Sequence, residues 1–330
     1  MKFVYVLVSD SSDVYYEQFL VSLISLRHWN PEAKISLVCD DITNESLVGL
    51  RARHTELIDE TKVIPFDSSF KKHYRSRFLK TTLREIFEGD FLYLDCDTIV
   101  CEKIEESDFK DDIMGVDDCH QKPQENSNWP VFLTQINQSG FLEAGLIHYI
   151  NGGVLWMRDS DIAHKFSSLW HTLWLQSVEK NIPVDMPALN ETNKRMNGIV
   201  GILPGVYNCQ VSASLKYLHT AKIIHCFATA VSNSEMPESA FYFLNSNFYY
   251  KIKTQHLTSD DKELIFDAKS AFDGRETILL GKNDSDVYRN LSRTNLYGFI
   301  RCLFLSKRCH WLFTLMDRIT KITTSIFWGK

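Results

Sequence analysis

The sequence predicts an α/β fold with a mostly parallel central sheet and helices on both of its faces. Short apolar runs of strand length alternate with stretches whose apolar residues recur at helical spacing. Strands that are joined through helices imply crossover connections, which produce a parallel sheet covered on both sides. The chain has 330 residues, of which 44% are hydrophobic and 24% are charged. This size and composition suit a large packed core and exclude both a disordered chain and a small disulfide-stapled domain.

Each predicted strand is an apolar run bounded by polar or turn-forming residues. The runs lie at 4–8, 35–39, 91–94, 98–101, 113–116, 153–157 and 222–227. A helix follows the first run and stops at Asn30-Pro31, a turn-forming dipeptide. A later helix opens at Ser160, because serine is a preferred N-cap residue, and closes between Asn181 and Pro183.

The chain changes character twice along its length. We expect the α/β domain to span residues 1–233, an irregular region at 234–288 to complete or flank it, and a helical extension to occupy 289–330. This last region carries eight Lys or Arg residues, seven aromatic residues and a single acid, Asp317. A helix with apolar and basic sides can lie on an anionic membrane surface. A helix packed on the main domain with a cationic outer side is the alternative.

Composition and charge exclude several classes of protein. A formal net charge of −6 argues against a general nucleic-acid binder. No apolar run approaches the ~20 residues that a membrane-spanning helix needs, and the first apolar run is too short for a signal peptide. The eight cysteines form no CxxC pair, so we expect reduced thiols in a cytoplasmic protein.

The segment most informative about chemistry contains two aspartates. Asp95 and Asp97 directly follow the apolar run 91–94. In an extended backbone their carboxylates project to one side while Cys96 points to the other. A divalent cation with a preference for oxygen ligands would keep both carboxylates ionised. The alternative is a pair of solvated turn aspartates.

These aspartates lie in a segment that resembles the DxD segment of glycosyltransferase family 8. Members of this family include glycogenin-like enzymes and bacterial lipopolysaccharide galactosyl- and glucosyltransferases. Five further segments are similar to segments of the family and occur in the same order. They are YVLVSD at 5–10, RSRFLKT at 75–81, YINGGV at 149–154, VDMPALN at 184–190 and IIHCF at 223–227. Together the similar segments span about residues 1–230.

The resemblance implies a fold, an activity and a set of partners. The fold is the GT-A nucleotide-sugar transferase fold, with its catalytic domain at 1–233. The reaction is metal-dependent transfer of glucose or galactose from a UDP-hexose to a saccharide or lipid-linked oligosaccharide, with retention of anomeric configuration. The cofactor is Mn²⁺ or Mg²⁺, and the pathway is synthesis of bacterial lipopolysaccharide or another surface glycan. A peripheral location at the inner face of the cell membrane follows through the basic tail.

Two alternatives to this activity remain open. One is a related GT-A transferase that uses another donor, such as GDP-mannose. The other is a catalytically silent sugar-binding homologue.

The resemblance also assigns residues to the metal and the nucleotide. Asp95, Asp97 and His225 form the metal site. His225 follows an apolar run, and an imidazole beside two carboxylates suits manganese better than calcium. A hydrogen-bonded structural histidine is the alternative for that residue. The nucleotide-binding residues are Val8, Asp10, Tyr15, Arg77 and Lys80 together with Asp95.

Three polar residues are expected to contact the sugars. They are Asn151, Asp117 and Asp185, with Asp117 preferred over its neighbour Asp118. For Asp185 a second role is available, because a carboxylate at a helix N-cap accepts hydrogen bonds from backbone amides. Both roles can hold at once.

Two departures from the family pattern concern the same site. Met186 replaces a glutamine, and a thioether cannot donate an amide hydrogen bond to a sugar. The family's Lys-Pro-Trp segment after the histidine is also missing. We expect either that Lys216, Lys222 or the cluster at 75–80 supplies the missing positive charge, or that turnover is slow.

Overall fold

The computed structural model describes residues 1–126, 128–227, 239, 241–272, 291, 294–306 and 308–328. The chain divides into two compact units, Met1–Arg275 and Glu276–Lys330. Parts of the predicted irregular region (234–288) and of the basic tail (289–330) lie outside the described residues. The predicted domain boundaries therefore stay predictions.

The first unit is built around two sheets. Its strands are β1 Lys2–Leu7, β2 Lys34–Asp40, β3 Glu60–Ile64, β4 Phe91–Leu94, β5 Thr98–Val100, β6 Ile113–Asp117, β7 Ile150–Met157, β8 Gly201–Ile202, β9 Cys209–Gln210 and β10 Ile223–His225. Its helices are α1 Tyr15–Trp29, α2 Asp41–Ser46, α3 Lys72–Thr81, α4 Leu83–Ile86, α5 Trp129–Gln138, α6 Asp161–Glu179, α7 Met186–Arg195, α8 Ser246–Thr254 and α9 Ser259–Phe266.

The larger sheet has the strand order β3-β2-β1-β4-β7-β6-β8. Strand β7 runs antiparallel to both neighbours, and the other pairs are parallel. The smaller sheet, in the order β5-β10-β9, lies at the carboxyl end of β4. The predicted α/β fold with a mostly parallel sheet is therefore confirmed.

Helices cover both faces of the larger sheet because its central strands are apolar on both sides. Val4 and Val6 of β1 belong to a core that also contains residues of α3, α4, α6 and α7. Phe3 and Tyr5, which alternate with them, belong to a second core with α1. This alternation is the two-residue period of a strand buried on both faces.

The predicted end of α1 and start of α6 are confirmed, and α6 ends at Glu179, two residues before Asn181. Helix α1 stops at Trp29, one residue before the Asn30-Pro31 dipeptide. Helix α6 begins after Ser160, whose hydroxyl accepts a hydrogen bond from the Ala163 amide at 3.3 Å. The sequence pattern missed β3, a largely exposed and polar edge strand, and the two-residue strands β8 and β9.

The second unit contains two helices among its described residues. They are α10, Asn295–Leu305, and α11, His310–Trp328. The helical C-terminal extension is therefore confirmed. Among the described helices, none has the length and apolar character to span a bilayer.

Candidate active site

Strand pairing brings the two aspartates and the histidine together. Asp95 and Asp97 flank the turn from β4 into β5, and β5 pairs antiparallel with β10, so that His225 lies opposite Thr98. The Asp97 carbonyl accepts a hydrogen bond from the Cys226 amide at 2.8 Å. One potential ligand atom of each of Asp95, Asp97 and His225 lies within 4.8 Å of the others.

The chemistry of these three side chains fits a divalent cation. The His225 Nε2 atom lies 3.2 Å from Asp97 Oδ1 and 3.9 Å from Asp95 Oδ2. Burial disfavours a charged imidazole, but Asp97 and Asp95 outweigh it and raise the pKa of His225. The two carboxylates therefore attract positive charge to the Nε2 position, and two oxygens with one imidazole nitrogen suit manganese.

Helix α3 supplies two cations to the same place. The Lys80 Nζ atom lies 3.2 Å from Asp95 Oδ1 and 3.3 Å from Asp185 Oδ2. Arg77 Nε lies 3.5 Å from Asp185 Oδ1. Burial opposes the charge of Lys80, but Asp185 and Asp95 outweigh it and raise the lysine pKa. Arg77 and Lys80 are three residues apart on α3, so their side chains lie on the same side of the helix, facing the aspartates.

Asp185 occupies the N-cap position of α7 but does not cap the helix. Its side chain accepts no hydrogen bond from the first turn. It turns instead toward Lys80 and Arg77, with Oδ2 buried. The predicted capping role is therefore wrong, because the two cations of α3 compete more strongly for the carboxylate than backbone amides do.

Two cavities meet at this cluster. The first has a volume of about 490 Å³ and the second about 300 Å³. Arg77, Lys80, Asp95 and Asp97 line both. Predicted residues found in the first cavity are Val8 and Tyr15, and those found in the second are Asn151, Asp185 and His225. Met186 also lines the second cavity.

Asp10 lies outside the residues that line the first cavity. Its carboxylate pairs with Lys72 Nζ at 2.6 Å and accepts hydrogen bonds from Ser12. Burial opposes its charge, but the bonds from Lys72 and Ser12 outweigh burial and lower the pKa of Asp10. Lys72, which the motifs did not single out, lines the cavity. The structure therefore places Lys72 in the lining of the first cavity, and Asp10 contributes by pairing with this lysine.

The neighbours Asp117 and Asp118 differ in where their side chains lie. Asp117 bonds to His148 Nδ1 at 2.9 Å and does not line either cavity. Burial raises the pKa of Asp117 despite that contact. Asp118 lines the second cavity and accepts a hydrogen bond from Asn151 Nδ2 at 2.8 Å. The structure thus brings Asp118 to the cleft, whereas the sequence favoured Asp117.

Three other basic residues named from the sequence have structural partners away from the cavity linings. Arg75 is buried and pairs with Asp40. Lys222 pairs with Asp108 at 2.8 Å, and Lys216 lies over the Tyr217 ring. Of the candidates for the missing positive charge, Arg77 and Lys80 are the ones at the cleft.

Two functional residues were missed by the sequence patterns. The Tyr93 hydroxyl donates a hydrogen bond to Asp95 Oδ1. Tyr93 lies on the predicted strand 91–94, two residues before Asp95, and this spacing places both side chains on one side of an extended chain, so the sequence could have revealed the contact. Asn208 Oδ1 lies 3.0 Å from His225 Nδ1. No sequence motif marks Asn208, because it reaches the site from a different segment of the chain.

Comparisons with solved structures return glycosyltransferases. One is the galactosyltransferase LgtC in complex with donor and acceptor sugar analogues, with 14% identity and a TM-score of 0.47 over 86% of this chain and 98% of that one. Another is the apo form of the glycosyltransferase GlyE from Streptococcus pneumoniae, with 18% identity and a TM-score of 0.47. That alignment covers 82% of this chain and 64% of GlyE.

No protein-family model matches the chain, and no curated protein matches it in sequence. Membership of glycosyltransferase family 8 therefore stays a prediction.

Proposed function

We propose that the protein is a metal-dependent glycosyltransferase that moves a hexose from a UDP-sugar to a saccharide hydroxyl. The observation that carries the proposal is the position of the cluster formed by Asp95, Asp97 and His225. It lies where two cavities meet, beside two cations of α3. A nucleotide diphosphate needs positive charge between a base cavity and a sugar cavity, and a divalent ion held by this cluster would supply it together with Lys80 and Arg77.

Asp95, Asp97 and His225 would hold the metal, which is Mn²⁺ or Mg²⁺. Such an ion supplies Lewis-acid assistance to a departing diphosphate. Lys80 and Arg77 add charge on the same side and would bind the diphosphate oxygens directly. They would replace the diphosphate-binding lysine that family 8 has after its histidine.

The first cavity would hold uridine, with Val8 and Tyr15 beside the base and Lys72 at its edge. The second cavity would hold the hexose, with Asn151, Asp118 and Asp185 as hydrogen-bonding partners. Asp117, the last residue of β6, would not contact the hexose itself but would support the position of the adjacent Asp118. Asp185, which pairs with Lys80 and Arg77, is the carboxylate suited to stabilise positive charge at the anomeric carbon.

The resemblance to family 8 supports retention of anomeric configuration, glucose or galactose as the hexose, and an acceptor from lipopolysaccharide or another surface glycan. A lipid-linked acceptor agrees with the second unit, where exposed apolar side chains recur at helical spacing on α11. They are Trp311, Leu315, Ile319 and Ile322. Exposed cations, among them Arg318 and Lys321, accompany them. We infer a cytoplasmic enzyme whose tail lies on an anionic membrane surface.

The metal site is tested by the substitution Asp97→Asn. We expect it to abolish Mn²⁺-dependent UDP binding in calorimetry, because an amide is a much weaker ligand than a carboxylate. The matched control is Asp260→Asn, at an exposed position of α9. Unchanged Mn²⁺ and UDP affinity in Asp97→Asn would contradict the proposal.

A sugar-binding protein without catalysis is the second candidate, and Met186 in the sugar cavity favours it. Incubation with Mn²⁺ and a panel of UDP- and GDP-sugars separates the two. A transferase releases free nucleotide slowly by hydrolysis, and the donor that releases it identifies the nucleotide. A protein that binds the sugars and releases no nucleotide is the silent homologue.

A further inference from the structure

A chain of four buried polar side chains connects the candidate metal site to the sugar cavity. His225, Asn208, Asn151 and Asp118 are 3%, 0%, 6% and 4% exposed. Consecutive members are hydrogen bonded at 3.0, 3.0 and 2.8 Å. Buried polar groups that satisfy one another in this way hold a single arrangement.

The hydrogen-bond directions along this chain follow from two groups with fixed roles. The Gly153 backbone amide can only donate, and it donates to Asn151 Oδ1 at 2.9 Å. The Asp118 carboxylate accepts from Asn151 Nδ2. Asn151 is therefore oriented, and the group of Asn208 that faces Asn151 Oδ1 must be its donor, Nδ2.

The orientation of Asn208 determines the tautomer of His225. With Nδ2 turned to Asn151, Asn208 presents Oδ1 to the imidazole. An amide oxygen only accepts, so His225 Nδ1 carries the hydrogen. In the neutral ring the lone pair then sits on Nε2, the atom 3.2 Å from Asp97 Oδ1. A lone pair aimed at carboxylates is repulsive unless a proton or a metal cation lies between them.

We propose that Asn208 is the positioning residue of the metal site, which orients His225 and keeps the Nε2 lone pair directed at the space between Asp95 and Asp97. The inference rests on the proposed metal-dependent function. Asn208 reaches His225 because it directly precedes β9, which pairs in parallel with β10. The same residue links the metal ligand to Asn151 and hence to the sugar cavity.

The test measures Mn²⁺ binding by calorimetry without nucleotide, together with thermal stability. Asn208→Leu removes the acceptor at similar volume, and we expect Mn²⁺ affinity to fall about 10- to 100-fold, the usual effect of losing an outer hydrogen-bond partner of a metal ligand. Asn208→Asp loses the bond to Asn151 but keeps an oxygen for Nδ1–H, so it should retain more affinity than Asn208→Leu. Gln210→Leu is the matched control, because Gln210 is buried two residues after Asn208, at the end of β9, but its side chain bonds to the backbone of Cys119 and Asp117 instead.

Each outcome bears on the inference in a defined way. If the wild-type chain binds no Mn²⁺, the proposed function itself fails. If the wild type binds Mn²⁺ and Asn208→Leu binds it equally well, the positioning role is wrong. Equal losses of affinity in Asn208→Leu and Gln210→Leu would show a general effect on the fold and would also overturn it.

A spectroscopic measurement covers the case in which Asn208→Leu does not fold. The ¹⁵N shifts of His225 in the wild-type chain, recorded at a pH where the ring is neutral, should show hydrogen on Nδ1. Hydrogen on Nε2 would overturn the inference.

Discussion

At the scale of single residues, the site depends on close contacts that small side chains permit. A Cβ atom on Gly153 would lie 2.2 Å from His225 Cε1 and would clash with the imidazole ring. A Cβ atom on Gly152 would lie 3.2 Å from Lys80 Nζ, the far end of a flexible chain. The histidine therefore packs directly on the backbone of β7, and Gly153 is required for that position.

Gly153→Ala should weaken Mn²⁺ affinity strongly, because the added methyl group displaces the His225 ring from the carboxylates. Gly152→Ala, the adjacent matched variant, should change it far less, since Lys80 can move aside. Calorimetry with Mn²⁺ measures both. Equal affinities for the two variants would mean that His225 does not ligate the metal.

His120 provides a prediction about pH and stability. Burial, assisted by Lys216 and His225, lowers its pKa to about 4. The unfolded chain binds a proton at this residue near pH 6.5. The contribution of neutral His120 to the free energy of unfolding is therefore fully present above pH 6.5. It declines as the pH falls toward 4, by roughly 1–2 kcal/mol after allowance for solvent screening.

We expect His120→Asn to lose less stability than the wild type between pH 7.5 and 5, measured by urea denaturation. Asparagine tolerates the left-handed backbone conformation of this residue, where φ is 56°. His256→Asn, at an exposed position, serves as the control and should show the same dependence of unfolding free energy on pH as the wild type. If His120→Asn shows the same pH dependence as the wild type, burial of His120 does not account for the loss of stability at low pH.

At the scale of helices and strands, two helix N-termini show how a similar position can serve different purposes. Ser160 caps α6 through its hydroxyl. Asp185 lies at the corresponding position of α7 but directs its carboxylate to Arg77 and Lys80 of α3. The first contact stabilises a helix, and the second holds a charged group at the cleft.

Substitution at these two positions should therefore have opposite signatures. Ser160→Ala should lower the free energy of unfolding by about 1 kcal/mol and leave UDP release from the donor unchanged. Asp185→Asn should lower the rate of UDP release more than the affinity for UDP, because the lost charge acts on the transition state. Denaturation and nucleotide-release assays measure the two effects. Equal losses of rate and UDP affinity in Asp185→Asn would contradict its placement at the anomeric carbon.

At the scale of the whole molecule, the two units have different surfaces. The first buries most of its large apolar side chains in three cores, although some, such as Leu142, are exposed. The second exposes apolar side chains on α11, with Trp311 66% and Ile322 61% exposed. Exposed apolar surface accompanied by cations is typical of helices that lie in a membrane interface.

Full-length protein should sediment with anionic vesicles and less so at high salt, since charge is screened over roughly 8 Å at physiological ionic strength. The double substitution of Trp311 and Leu315 by serine should weaken this sedimentation. Val131→Ser, on an exposed apolar residue of α5, should not. Failure of the full-length chain to sediment would mean that the tail does not attach to membranes.

Features that depend only on neighbouring residues could be predicted from the amino-acid sequence. These are the apolar strands, the ends of α1 and α6, and the pair Asp95 and Asp97, whose placement on one side follows from the two-residue period of an extended chain. The resemblance to the family, together with a position after two apolar residues, also pointed to His225.

The distant residues that complete the site could not be predicted in this way, because long-range packing brings them together. Asn208 meets Asn151, 57 positions away, because β9 and β10 join at the carboxyl end of the larger sheet. The choice of Asp118 over Asp117 depends on how the chain leaves β6, and local pattern cannot decide it. Such contacts depend on strand order and register, which long-range packing sets and which no short window of sequence contains.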